Sequence, residues 1–241
     1  MISVTRKISM MLLFAAVGLG LTSCMKNNDD QPDIPNAGLM AFNLSPDQDG
    51  IFVRLSGNTL GNQPLAYTNY TGTYLPIFTG NRDVRALNAT TGEEITNTTG
   101  FTFDIDKYYT LFVTGSDSVY TNLLVNDHLD TLLPESGEAL VRYVQAIPDS
   151  AAYNVSLSSG SKEVPTEASF NTVSEFASMP SGDLTVTASK GSGSALTRTI
   201  AIEANKAYTV LLIGDPSASD DTRKPQIKFI VNGTVTDSTD Q

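Results

Sequence analysis

The chain contains two copies of one sequence unit. The Pro-Asp pair at Pro46 recurs at Pro148, an offset of 102 residues, and further matches follow in the same order. Such collinear matches, interrupted only at loop positions, predict two tandem domains of about 95 residues, a usual size for a β-sandwich. The matches pair Ile51, Val53 and Leu55 with Tyr153, Val155 and Leu157; Tyr74 with Phe176; Gly80 with Gly182; Val84 with Val186; Ala86 with Ala188; segment 107–115 with 206–214; and 123–126 with 229–232.

Apolar and polar side chains alternate within each unit. A period of two is typical of strands in a sheet with one packed face and one wet face. Turn-forming residues punctuate the strands at short intervals. About seven short strands per unit predict an all-β chain of two tandem antiparallel β-sandwich domains, immunoglobulin-like or transthyretin-like in type. The apolar sets are Ile51, Val53 and Leu55; Tyr153, Val155 and Leu157; Phe101, Phe103 and Ile105; and Ile200 and Ile202.

The N-terminal residues carry the pattern of a secretory signal. Arg6 and Lys7 precede an apolar stretch that is shorter than the roughly 20 residues of a membrane span. The stretch leads into Leu-Thr-Ser-Cys, which ends at Cys24 and resembles the lipobox of bacterial lipoproteins. The resemblance implies that Cys24 is lipidated and anchors the chain in a membrane.

The residues behind Cys24 are polar and acidic, with prolines at Pro32 and Pro35. Their composition is typical of a solvated spacer. They also resemble the acidic export signal of Bacteroidota lipoproteins, although Asn27 and Asn28 separate Lys26 from the acidic pair. We therefore expect lipid anchoring at the outer membrane with surface exposure, while the periplasmic face stays open as an alternative.

These features divide the chain into six expected parts. They are a lipoprotein signal peptide at 1–23, an acidic flexible tether at 24–37, β-sandwich domain 1 at 38–129, a linker at 130–138, β-sandwich domain 2 at 139–233 and a polar tail at 234–241.

The charge and the scarcity of ligating residues exclude several functional classes. The formal net charge is −11, and a chain this acidic repels phosphate backbones, so we expect no nucleic-acid partner. Cys24 is the sole cysteine and His128 the sole histidine, which leaves no set of side chains for zinc or haem. We therefore predict no metal, no cofactor and no intramolecular disulfide.

Catalytic side chains are also scarce. A serine triad needs a histidine base, and His128 lies in a polar segment typical of an exposed linker. Asp104 and Asp106 could flank a glycosidic bond, but two residues apart on a strand they would both project from the wet face. We predict no catalytic residue and a protein that is not an enzyme.

Aromatic side chains are the best candidates for ligand contacts. Six of the nine tyrosines fall in the first unit, and Tyr74 and Tyr109 have aromatic counterparts in the second, so we expect these two in the core. Tyr70, Tyr108 and Tyr120 have no aromatic counterpart, and residues private to one copy could supply a binding role. The simpler interpretation is that these three cap strand edges.

The repeated residues resemble those of a known family, the DUF4397 domain of bacterial envelope proteins. The resemblance rests on Pro46-Asp47, the stretch from Leu65 to Tyr74, Gly80 before Val84, and segment 109–115. It covers essentially the whole chain behind the tether, once per repeat. The family has no assigned activity, so it implies a fold and little chemistry.

The first functional hypothesis is a non-enzymatic, surface-exposed lipoprotein that binds a glycan or an envelope protein, or has a structural role. Two alternatives stay open. One is a glycan hydrolase that uses carboxylates such as Asp104 and Asp106, and the other is a fimbrial or assembly subunit. Asp-Ser/Thr-apolar triplets, such as the one starting at Asp117, resemble the O-glycosylation triplet of Bacteroidota secreted proteins.

Overall fold

The structure is a computed structural model that describes residues 35–148 and 151–235. The expected signal peptide, Cys24, nearly all of the expected tether, the Asp149-Ser150 pair and the residues beyond 235 lie outside the described residues. In the described ranges every regular element is a strand, as an all-β fold requires. No helix there is long and apolar enough to cross a bilayer.

The first copy supplies nine strands, and so does the second, among the described residues. They are β1 Asn36–Asn43, β2 Gly50–Leu55, β3 Asn58–Thr59, β4 Leu65–Ala66, β5 Leu75–Phe78, β6 Gly80–Asn88, β7 Glu94–Phe103, β8 Tyr108–Ser116, β9 Val119–Asn126, β10 Glu138–Gln145, β11 Tyr153–Ser159, β12 Lys162–Ala168, β13 Thr172–Val173, β14 Ala177–Pro180, β15 Gly182–Ser189, β16 Leu196–Ile202, β17 Lys206–Ile213 and β18 Gln226–Thr234.

These strands form two β-sandwiches, each built from an inner and an outer sheet. In the first sandwich the inner sheet has the order β5-β1-β8-β9 and the outer sheet β3-β2-β6-β7, with β4 beside β2. In the second, the inner sheet is β13-β10-β17-β18, with β14 also on β10, and the outer sheet is β12-β11-β15-β16. One apolar core fills each sandwich, which confirms the predicted fold class.

Each inner sheet contains one parallel pair, which departs from the purely antiparallel expectation. β1 runs parallel to β8 with Leu39 opposite Tyr109, and β10 runs parallel to β17 with Val141 opposite Tyr208. Parallel neighbours need a long crossover connection, and the strands of the outer sheet lie between them in the chain. The same register in both copies follows the sequence repeat.

The outer sheets follow the predicted alternation. In β2, Ile51 and Val53 are buried while Arg54 is exposed, and in β11 Val155 is buried while Asn154 is exposed. These strands have one packed and one wet face, as their period of two predicts.

The central strands of the inner sheets, β1, β8, β10 and β17, are buried on both faces, so the expectation of one wet face is wrong for them. Five consecutive residues of β1, from Leu39 to Asn43, are buried, and so are seven consecutive residues of β17. The cause is contact between the copies, because Met40, Phe42 and Phe112 pack against Val144 and other apolar residues of the second copy. Uninterrupted apolar runs are typical of such doubly buried strands.

Ile105 is a second correction to the predicted pattern. β7 ends at Phe103, and Asp106 has a positive φ of 58°, so residues 104–106 form a turn rather than the end of a strand. Ile105 is 54% exposed and leaves the core face on which Phe103 lies. Ile200 and Ile202, which in the second copy correspond to Phe101 and Phe103, are buried as predicted.

Candidate functional site

Tyr108 lies in an open groove at the start of β8. Its side chain is 42% exposed, and its ring meets the ring of Tyr74 edge-on, with centroids 5.1 Å apart. The groove has a volume of about 220 Å³ and is lined by Asn36, Ala37, Gly38, Tyr74, Pro76, Asp106, Lys107 and Tyr108. A Cβ on Gly38 would lie 2.7 Å from a ring carbon of Tyr108, so only glycine leaves room for this ring against β1.

Tyr70 lies at the contact between the two copies. Its ring stacks on Phe42 with centroids 5.0 Å apart and an interplanar angle of 9°. Both rings belong to the apolar cluster that joins the inner sheets. The structure thus gives Tyr70 a packing partner within the chain.

Tyr120 holds two loops of the first copy together. Its hydroxyl donates to Asp47 Oδ2 at 2.7 Å and accepts from Gln48 Nε2 at 2.6 Å. Asp47 Oδ2 also accepts the Asp117 N–H at 2.9 Å. Burial raises the pKa of Tyr120.

The structure does not bring the three predicted tyrosines into one site. Tyr108 begins β8, while Tyr120 is paired with Gly115 near the other end of that strand. Seven residues of strand separate these positions by roughly 23 Å. Of the three, Tyr108 alone lines the groove.

The two tyrosines predicted for the core have different surroundings. Tyr109 is buried as predicted, and its hydroxyl accepts the Asp104 N–H at 3.0 Å. Tyr208 repeats this arrangement with the Glu203 N–H at 2.9 Å. Tyr74 instead lies partly buried against the cluster between the copies.

A buried ion pair joins the two copies, and sequence reasoning missed it. Arg142 Nη1 lies 2.6 Å from Asp127 Oδ1, and the two side chains are 3% and 0% exposed. Arg142 Nη2 donates to Thr110 Oγ1 and Nε donates to Thr209 Oγ1, both at 3.0 Å. The guanidinium also lies over the ring of Phe176, 4.5 Å from its centroid.

Further hydrogen bonds complete this network. Asp127 Oδ2 accepts from Tyr74 OH and Thr110 Oγ1, both at 2.5 Å. Thr209 donates to Asn232 Oδ1 at 2.7 Å, and Asn232 Nδ2 donates to Tyr74 OH at 3.2 Å. Burial, with Asp127 adding to it, raises the pKa of Tyr74. Each buried charge therefore has the partners that its desolvation requires.

The repeat itself contained a signal for this network. The position of Arg142 corresponds at the 102-residue offset to Met40, an apolar residue. A charge within the apolar run of β10 is rare in a buried strand unless it is paired. The partner could not be named from sequence, because Asp127 lies outside any strand and looks like a loop residue.

A loop of the second copy makes another contact with the first. The β17–β18 connection is longer than the β8–β9 turn, and it carries Arg223. Arg223 donates to the Pro46 carbonyl and to the Asp49 carboxylate, and its guanidinium lies 5.8 Å from the ring centroid of Tyr67. Lys228 adds a hydrogen bond to Thr68 at 2.9 Å.

The residues considered as candidates for catalysis lie in loops and turns. His128 is exposed with a φ of 51°, as expected for a linker residue. Asp104 and Asp106 lie in the β7–β8 turn rather than on the wet face of a strand. Within residues 35–148 and 151–235, no three His, Cys, Asp or Glu side chains are grouped so that they could hold a metal ion.

A family model described as "Domain of unknown function (DUF4397)" matches residues 37–156 and again residues 139–240. The chain belongs to the DUF4397 family. The two overlapping matches confirm a tandem pair of DUF4397 units, as the repeat predicted. No curated protein matches this DUF4397 chain.

Two solved structures resemble this tandem DUF4397 chain. The tip fimbrial protein Mfa3 from Porphyromonas gingivalis, with a C-terminal truncation, is 10% identical with a TM-score of 0.28; the match covers 83% of this chain and all of that one. A candidate cell adhesion protein from Bacteroides uniformis is 11% identical with a TM-score of 0.29, over 82% of this chain and 98% of that one. Likenesses this distant transfer no function to the DUF4397 chain.

Proposed function

We propose that this protein is a non-enzymatic, lipid-anchored module of the cell surface whose two sandwiches act as one body. The module binds a glycan or a protein of the envelope, or holds such a partner in position. In this proposal the first sandwich occupies 38–129, the second 139–233, and residues 130–138 link them. Cys24 carries the lipid that anchors the module in the outer membrane.

The observation that carries the proposal is the buried Arg142–Asp127 pair between the copies. A buried ion pair contributes little net stability compared with apolar packing, because both charges lose their hydration. Its value lies in geometry, since any other orientation of the two sandwiches would leave both charges unpaired. A fixed orientation is what a binding or structural module needs in order to present both sandwiches to one partner.

A second set of contacts supports the same arrangement. The loop of the second copy that carries Arg223 contacts the β1–β2 loop of the first copy. The residues of this contact are far in the sequence from Asp127 and Arg142. Two separate contacts restrict rotation more than one contact does. The two copies therefore present one continuous surface.

The binding part of the proposal is tested on the chain from Met25 onward. A glycan array and a pull-down from solubilised envelope should each be run on protein whose circular dichroism shows folded β-structure. We expect at least one of them to return a saturable partner. Two blank results with folded protein would overturn the binding role.

The location part is tested in cells. Cys24→Ser should move the protein from the membrane fraction to the soluble fraction. Protease added to intact cells should degrade the wild-type protein if it faces outward. Retention of the Cys24→Ser protein in the membrane fraction would contradict the anchor, and protection from protease would contradict surface exposure.

A further inference from the structure

We propose that the groove beside Tyr108 is a subsite for one ring of an uncharged glycan; this inference rests on the proposed binding function. We call this groove the aromatic groove; its lining includes Asn36, Gly38, Tyr74, Pro76, Lys107 and Tyr108. The difference between the two copies, the size of the groove and its charge support this assignment.

Among the described residues, the second copy fills with its own side chains the space that is open in the first copy. Leu140, Ala207 and Phe176 occupy the positions that correspond to Gly38, Tyr108 and Tyr74. Leu140 and Ala207 are buried with Val235, and the partly buried side chains that pack on them are Leu129, Leu132 and Phe176. The second copy thus closes this part of its inner sheet with apolar residues of the chain itself.

The segment before β1 is polar at the two positions that correspond to this cover. At the 102-residue offset, Leu129 corresponds to Asn27 and Leu132 corresponds to Asp30. These polar residues have little tendency to cover aromatic rings. The copies therefore differ at this place: the second has a closed apolar patch, and the first has a groove with two tyrosine rings.

The size of the groove suits a single sugar ring. Its volume of about 220 Å³ is below the roughly 300–1,000 Å³ of pockets that enclose drug-sized ligands. Gly38 lets the Tyr108 ring lie close against β1, and the edge-on contact with Tyr74 supports it. The Tyr74 hydroxyl is bound to Asp127, so the ring behind Tyr108 is fixed.

The chemistry of the groove favours a neutral sugar. An aromatic face carries partial negative charge, which attracts the polarised C–H groups of a pyranose ring. Lys107, the cation at the rim, is paired with the carboxylate of Asp130 and so offers little attraction to an anion. Asp106, which also lines the groove, and the chain's net charge of −11 repel acidic glycans.

The experiment measures glycan binding by the chain from Met25 onward, first on an array of neutral and acidic glycans and then by titration. Tyr108→Ala should weaken binding of the best neutral glycan at least tenfold, whereas Tyr108→Phe should retain it because stacking uses the ring. Gly38→Leu, which inserts the residue of the second copy, should also weaken binding at least tenfold. Val119→Ala is the matched control, since Val119 is 72% exposed far from the groove.

Each outcome has a distinct meaning. Neutral glycan binding that is lost in Tyr108→Ala and kept in Tyr108→Phe and Val119→Ala supports the subsite. Glycan binding unchanged in Tyr108→Ala, or confined to acidic glycans, overturns the subsite and leaves the proposed function intact. Capture of an envelope protein without glycan binding also overturns the subsite and leaves the proposed function intact. Failure to bind any partner overturns the subsite and the proposed binding function. Thermal melting of each variant shows whether the fold is retained.

Discussion

At the scale of single residues, the ion pair of Arg142 and Asp127 determines how the two copies fit together. The two carboxylate oxygens of Asp127 accept hydrogen bonds from Arg142, Tyr74 and Thr110. Removing either Arg142 or Asp127 would leave the other charge buried without its counter-ion. The repeat places a methionine where Arg142 stands, which offers a natural substitution of similar length.

Arg142→Met should lower the free energy of unfolding by about 3–5 kcal/mol, because Asp127 keeps a buried and unpaired charge. Asp127→Asn added to Arg142→Met should recover part of this loss, since it removes that charge. Urea unfolding followed by circular dichroism measures both effects. Arg85→Met is the control, because Arg85 pairs with Asp83 and Glu94 at the surface, where such pairs contribute about 0–1 kcal/mol. Equal losses of unfolding free energy for Arg142→Met and Arg85→Met would contradict the assignment of Arg142 and Asp127 as a buried ion pair.

Tyr67 is a second residue with a measurable consequence. Its hydroxyl is buried without a hydrogen-bond partner, and this burial raises its pKa from 10.0 to about 12, while Arg223 opposes the shift. The folded-state pKa lies above the unfolded one, so the contribution of Tyr67 to stability is complete below pH 10 and is lost as the pH rises towards 12.

Tyr67→Phe should therefore be at least as stable as the wild type at pH 8, because it removes an unpaired polar group. Between pH 10 and 12 the wild type should lose stability faster than Tyr67→Phe. Urea midpoints of both proteins at pH 8, 10 and 11 measure this difference. A constant difference across the series would show that Tyr67 ionises equally well in the folded and unfolded chains.

Among the elements, the central strands of the inner sheets, β1, β8, β10 and β17, differ from the strands of the outer sheets in having no wet face. On β1, Leu39 and Ala41 face the core of the first sandwich, whereas Met40 and Phe42 face the second copy. Phe78 ends β5 in the same sheet, but it is 59% exposed. The inner sheet of the first copy thus carries Phe42 inside the contact between the copies and Phe78 outside it.

Phe42→Ala should cost about 3–5 kcal/mol of unfolding free energy, because it leaves a cavity beside Tyr70 and Phe112. Phe78→Ala in the same sheet should change stability by less than about 0.5 kcal/mol. Paired urea titrations give both values. A small effect at Phe42 would mean that the inner sheets are not packed against each other in solution.

At the scale of the whole molecule, contacts group the residues from Pro35 onward into one compact unit, although the sequence divides them into two copies. The apolar cluster between the inner sheets, the buried ion pair and the Arg223 loop all cross the division. Unfolding one sandwich would expose the inner face of the other. The two sandwiches should therefore depend on each other for stability.

The chain from Met25 onward should unfold in a single transition, with tyrosine fluorescence and far-ultraviolet circular dichroism giving the same midpoint. Arg142→Glu should split this into two transitions, because it places two carboxylates together at the contact while leaving each sandwich core intact. Two separate transitions in the wild-type protein would contradict the mutual dependence.

The sequence alone determined the features that depend on local periodicity and on the repeat. It predicted the two copies, the β-sandwich class, the family, and the faces of β2 and β11, because a period of two assigns each side chain to a face. It also predicted that Tyr109 is buried, since both copies keep an aromatic residue there. The turn that exposes Ile105 was not predicted, because the alternation of residue types continues through it.

What covers each face of a strand depends on the tertiary structure. Burial of apolar surface has no direction, so an apolar strand does not specify whether solvent, a ligand or the other copy lies against it. The partner of Arg142, the packing of Tyr70 and the open groove at Tyr108 all depend on contacts between residues far apart in the chain. The repeat supplied two similar surfaces, and folding placed them against each other, while among the described residues one end of the first copy keeps an open groove.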